Sequence, residues 1–192
     1  MILIDSHVHI HFSFDLKTLF NFADKNFRLQ AEFLHLNEEY FPVIFLTESS
    51  ESNYFKMLAE KCQSSDSALQ MDSDDWSFSL SQECMAIWLR KRNKKKMLLV
   101  SGKQIVTKER LEILVPFCST SYKDGLPINQ ILDEIIERDD LPVLPWSPGK
   151  WFGKRGRIVK KIVRSRSCDA LFLGDIAIRP AIWPKPKPFV LA

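Results

Sequence analysis

The sequence predicts an α/β protein with a mostly parallel sheet, in the form of a distorted or incomplete (β/α) barrel of the TIM type. Short, wholly apolar runs such as Ile2-Leu3-Ile4 and Val43-Ile44-Phe45-Leu46 stop abruptly in polar residues, as strands buried on both faces of a parallel sheet do at an active-site end. Stretches of helical apolar spacing lie between such runs, so strands and helices alternate. Five or six βα-like units can be counted in 192 residues, whereas a complete eight-unit barrel takes about 200 to 250.

In chain order, the first strand runs into Asp5-Ser6-His7-Val8-His9. Leu16, Leu19, Phe20 and Ala23 then recur at helical spacing, and a second helical stretch passes through Leu29, Phe33 and Leu36. The second strand, Val43 to Leu46, ends in Thr47-Glu48-Ser49, and a helix around Tyr54 to Cys62 follows. Gln63 to Asp75, rich in Ser and Asp, reads as an exposed loop. Met97 to Val100 is a strand, and Gln104 to Val115 a hairpin arm. Asp124-Gly125 marks a turn, after which Pro127 opens a helix whose apolar face is Ile128, Ile131, Leu132, Ile135 and Ile136. A strand over Leu141 to Leu144, a basic helix over Arg157 to Arg166, and a strand over Ala170 to Leu173 complete the series. The organisation expected is a single domain over 1–180 and a Pro/Lys-rich tail over 181–192, extended where Pro and Lys alternate from Pro184 to Pro188.

Composition limits the function classes. Hydrophobic residues at 45% and charged residues at 27% give enough apolar surface for a core. Cys62, Cys84, Cys118 and Cys168 form no C-x-x-C pair, so they read as buried thiols of a reducing compartment. No signal peptide and no run of about 18 apolar residues is visible, which predicts a cytoplasmic protein without membrane contact. The net charge of +3 conceals an asymmetry: residues 1–88 carry −9 and residues 89–192 carry +12.

The strongest chemical signal is Asp5-x-His7-x-His9. Residues two apart share one side of a strand, so His7 and His9 can bind one divalent cation with Asp5 as a third ligand or as a hydrogen-bond acceptor behind them. His11 would join them if the strand continued, whereas His35, inside a helical apolar stretch, reads as structural.

Ile4-Asp5-Ser6-His7-Val8-His9 resembles the opening motif of the polymerase and histidinol phosphatase (PHP) domain and, more broadly, of the amidohydrolase superfamily. The resemblance implies a metal-dependent hydrolase of phosphoesterase or amidohydrolase type, with one to three zinc, manganese or iron ions. Phe45-Leu46-Thr47-Glu48-Ser49 lies where a PHP domain has a strand ending in Thr-Asp-His, which puts Glu48 in an acidic metal-site position. Gly102-Lys103-Gln104 matches a Gly-x-Glu motif with Gln104 in the acid's place, and Leu111-Glu112-Ile113-Leu114 matches a returning strand with Glu112 where His is usual. Asp175, after Gly174, would supply a late carboxylate. All four histidines fall within the first 35 residues, whereas full family members draw more from later strands. Glu112 and Asp175 are the expected acid–base groups; Glu109, three residues before Glu112 on the hairpin, would point to the other side.

A second segment, Leu144 to Gly156, joins Pro and Gly to Trp146, Lys150, Trp151 and Arg155. Residues 150–166 hold eight Lys or Arg and no acid. Lys150 and Arg155, with Trp146 beside them and Arg179 from a later loop, are expected to bind a small anionic substrate. Two other classes fit the same residues: a non-catalytic barrel relative that binds a partner, and a basic nucleic-acid-binding module. A pI of 8.6 is too mild to favour the latter.

Overall fold

A computed structural model describes residues 1–192 except 37–39, 65–68, 71–75, 92–95, 148, 167–170, 176–182, 184, 185 and 192. The chain divides into two compact units, Met1–Gly102 and Lys103–Ala192.

The first unit begins with β1 (Ile2–Val8), α1 (Leu16–Phe33), β2 (Phe41–Leu46) and α2 (Tyr54–Ser64). The Asp15 carboxylate accepts from the Thr18 amide at 2.9 Å and caps α1, and the Thr18 hydroxyl holds this carboxyl below the ordinary carboxylate range. Phe20, Phe27 and Ala31 form the helix's buried stripe. One continuous helix thus spans what the apolar spacing divided in two. It ends where His35 takes a left-handed φ of 55° and the Leu36 amide reaches back to the Ala31 carbonyl at 3.0 Å.

Beyond α2 come β3 (Leu69–Gln70), β4 (Trp76–Leu80), β5 (Ala86–Lys91) and β6 (Lys96–Val100). The sheet order is β1-β2-β6-β5-β4-β3. β1, β2 and β6 are parallel, whereas β5 runs antiparallel to β6, β4 to β5, and β3 to β4. Leu3, Ile44, Leu46, Leu89 and Leu99 turn to one side with the buried residues of α1 and α2; Val43, Ala86 and Val100 form a smaller cluster with Phe41, Phe45 and Leu98.

The second unit contains β7 (Gly102–Val106) from Lys103 onward, β8 (Glu112–Pro116), α3 (Ile128–Glu137), β9 (Val143–Pro145), α4 (Gly153–Ser165), β10 (Phe172–Gly174) and the short α5 (Lys187–Leu191). Its sheet order is β10-β9-β8-β7, with β10 parallel and β8 antiparallel to β9. Its core joins Ile113 and Val115 to Ile128, Ile131, Ile135, Leu144, Trp146, Val159 and Ile162. Pro127 offers no side-chain cap to α3; Glu109 accepts from the Ile128 amide at 3.0 Å in its place.

Two mixed sheets, with no closed barrel among the described residues, correct the expectation of a mostly parallel TIM-like barrel. A barrel needs each strand to receive a parallel neighbour through a crossover connection. Here the Trp76-Ser77-Phe78-Ser79-Leu80 alternation folds back through residues 81–85 as a hairpin, and its second strand occupies the edge of β6. That period-2 pattern was the available signal. The exposed loop expected over 63–75 lies largely outside the described residues, although α2 continues to Ser64 and Leu69–Gln70 pairs with β4.

Two smaller expectations also change. Of the stretch expected to be extended from Pro184 to Pro188, residues 184 and 185 lie outside the described residues and Lys187 and Pro188 open the helix Lys187–Leu191, in which Phe189 stacks on Trp151 with ring centroids 5.6 Å apart. Of the thiols, Cys118 is buried, Cys62 half-buried and Cys84 exposed, while Cys168 lies outside the described residues. Burial pushes the Cys62 and Cys118 thiols above their ordinary range. None of the described helices is long and apolar enough to cross a membrane.

Candidate metal-binding histidine pair

Three parallel strands of the first unit deliver their carboxyl ends to one side of the molecule, the position where parallel sheets present ligand-binding groups. The Thr47 amide donates to the Val8 carbonyl at 2.9 Å, and the Glu48 amide to the Gly102 carbonyl at 3.1 Å. The end of β2 is therefore tied by backbone hydrogen bonds to the end of β1 and to the residue two beyond β6.

A bulge decides which of these side chains meet. Asp5 pairs with Ile44 and Val8 with Leu46, so β1 carries one more residue than β2 over this interval. Before the bulge, odd-numbered Leu3 faces the main core; after it, even-numbered Val8 and Ile10 do. One extra residue exchanges the two faces of a strand. His7 and His9 consequently turn away from α1 and α2, while Asp5 keeps the parity of Leu3.

The two imidazoles converge. Their Nε2 atoms lie 3.1 Å apart, with ring centroids at 5.0 Å and planes tilted by 59°. Two imidazoles that share a zinc ion at about 2.0–2.1 Å each, near the tetrahedral angle, hold their nitrogens about 3.3 Å apart. The observed contact is that of an imidazole–imidazole hydrogen bond, and it is also close to the nitrogen spacing across a shared ion. The Thr47 hydroxyl, 3.5 Å from His9 Nε2, also reaches the Val8 carbonyl at 3.2 Å. Thr47 escaped the sequence reading, although its place directly after an apolar strand was the signal.

The carboxylate part is not assembled: no group of three or more His, Cys, Asp or Glu able to hold a metal occurs among the described residues. Glu48 follows Thr47, so it turns to the opposite face, where its buried carboxylate accepts from the Phe55 amide at 2.9 Å in the first turn of α2. Ser101, at the end of β6, is 2% exposed, and its hydroxyl has no hydrogen-bond partner among the described residues. Asp5 is exposed. His11 contacts Phe12 and Phe14, and its ring is not part of the pair.

The remaining expected site residues belong to the second unit. Glu112 and Lys150, read from sequence as a catalytic acid–base group and an anion ligand, form an ion pair with each other. Arg155 donates to the Gly149 carbonyl at 2.7 Å and the Arg110 carbonyl at 3.3 Å, bracing the loop that leads into α4. Trp146 is buried in the core with its ring edge-on to Trp183. Gln104 is half-buried on β7, and Asp175 is exposed just beyond β10. Arg179 lies outside the described residues. Searches of protein-family models, curated proteins and solved structures match nothing to this chain.

Proposed function

We propose that the first unit binds a divalent cation through His7 and His9 and that the protein hydrolyses a phosphorylated or other anionic small substrate with it. The observation that carries this reading is the 3.1 Å separation of the two Nε2 atoms at the carboxyl ends of parallel strands. The resemblance of Ile4 to His9 to the opening of PHP domains supports it further. When bound, such an ion polarises a phosphoryl or carbonyl oxygen and lowers the pKa of a water towards neutrality.

The chain's own residues supply binding and orientation. Each imidazole ligates through a ring nitrogen that carries no proton. Thr47, bonded to the Val8 carbonyl, holds the end of β1 against β2 and thereby fixes the backbone that carries His9. Among the described residues His7 and His9 are the two groups that would hold the ion, so a chelator is expected to remove it.

The test is metal content after native purification, read together with hydrolysis of p-nitrophenyl phosphate. The His7→Ala/His9→Ala protein should lose both while its far-ultraviolet circular dichroism and thermal midpoint stay unchanged. Stoichiometric metal in the double variant would defeat the reading.

A further inference from the structure

α4 buries one side and charges the other. Gly156, Val159 and Ile162 face the core of the second unit. At about 100° per residue, Arg157, Lys160, Lys161 and Arg164 occupy about 100° of arc on the far side and extend over about 10 Å of axis. These four cations and Ser165 line a shallow groove of about 330 Å³.

Some cations elsewhere in the chain have carboxylate partners. Lys56 meets Glu60 on α2, Arg138 meets Glu134 beside α3, and Arg166 meets Asp133 at 2.7 Å. On α4 no carboxylate among the described residues reaches any of the four, and the segment 150–166 contains no acid. Like charges three and four residues apart weaken a helix. A local conflict of this kind is expected where a surface serves a ligand.

We infer that this face of α4 binds the phosphate backbone of nucleic acid. Along 10 Å of its axis, a duplex carries about six phosphates on its two strands together, so a helix lying across a groove can contact phosphates of both strands. Insertion into a lipid surface requires an exposed apolar side on the same helix, and on α4 that side is buried in the core. No aromatic ring lines the groove, so recognition is of backbone charge rather than of base sequence. The inference does not depend on the histidine pair.

The experiment measures binding of the full chain to a fluorescent 20-base-pair duplex across a salt series. With four phosphate contacts, the slope of log affinity against log salt should be about −3 to −4, because each contact contributes about −0.9. In Arg157→Glu/Lys161→Glu the slope should become shallower by about 2, with affinity at least tenfold weaker. Lys25→Glu/Arg28→Glu, an equal charge change on exposed residues of α1, should bind as the unaltered protein does. If circular dichroism finds the first variant unfolded, Arg157→Gln/Lys161→Gln keeps most of the side-chain bulk and should give the same change in slope. Unchanged binding by the α4 variants overturns the inference. So does polyglutamate that displaces the duplex at equal charge concentration, which would mark the face as a site for an acidic protein segment.

Discussion

The Lys150 ammonium and the Glu112 carboxylate form an ion pair within the second unit, joining the loop after β9 to the first residue of β8. Glu112 keeps 16% of its side chain exposed and Lys150 35%, so the pair lies between a solvated surface bridge and a buried one. A double-mutant cycle with Glu112→Gln and Lys150→Met should give a coupling of about 0.5–1 kcal/mol in urea unfolding, weakening in high salt. Neither substitution should alter metal content. Loss of metal in Glu112→Gln would show that Glu112 reaches the metal site.

Glu48 provides a sharper test of roles. Its carboxylate accepts from the Phe55 amide in a buried setting, and removal of an acceptor from a buried donor costs about 1–3 kcal/mol. Glu48→Ala should lower stability by that amount, while Glu48→Gln, which retains an acceptor oxygen, should recover most of it. Metal content should stay constant in both. A Gln variant that is fully stable yet free of metal would show that Glu48 acts as a ligand.

Gly156 is fixed by contact rather than by its dihedral angles. A Cβ built there would stand 2.1 Å from the Trp151 carbonyl oxygen and 2.9 Å from its carbon, both main-chain atoms that cannot turn aside. Alanine is the better helix former, but the clash outweighs that gain. Gly156→Ala should destabilise the protein by about 1–3 kcal/mol, measured by urea denaturation. A stabilised variant would contradict this packing of α4 on the loop before it.

Tyr122 gives the protein an alkaline limit. Its hydroxyl donates to Asp140 at 2.5 Å, and the Arg138 guanidinium lies 4.9 Å from its ring centre. Burial first, and then the Asp140 carboxylate, pushes its phenol well above the ordinary tyrosine value. Below that ordinary value the phenol is protonated in both folded and unfolded chains, and its contribution is complete. As pH rises beyond it, only the unfolded chain ionises, so stability falls. Urea midpoints at pH 7 and about pH 10.5 should therefore differ more in the unaltered protein than in Tyr122→Phe. At pH 7 the Phe variant should be less stable by about 1–3 kcal/mol, because Asp140 loses a donor.

Local pattern by itself determined much of this protein. The apolar runs at Ile2 to Ile4 and Val43 to Leu46 are strands, and Ile128, Ile131, Leu132 and Ile135 are the buried stripe of a helix. The spacing of His7 and His9 brought their Nε2 atoms within 3.1 Å of each other. These features depend on residues a few positions apart, whose side-chain directions follow from backbone periodicity.

What only the tertiary structure decided depends on contacts distant in sequence. Whether the edge of β6 receives a parallel strand or the hairpin of β4 and β5 is a choice between pairings, and it separates two mixed sheets from a barrel. The bulge between Asp5 and Val8 exists only relative to β2, yet it decides which face His7 and His9 share and gives Asp5 the parity of the other. Register belongs to a pair of strands, so a single strand's sequence cannot contain it. Likewise, the charges of Glu112 and Lys150 are plain in the sequence, but that each would find the other was settled by folding, which brings residues 38 positions apart into contact.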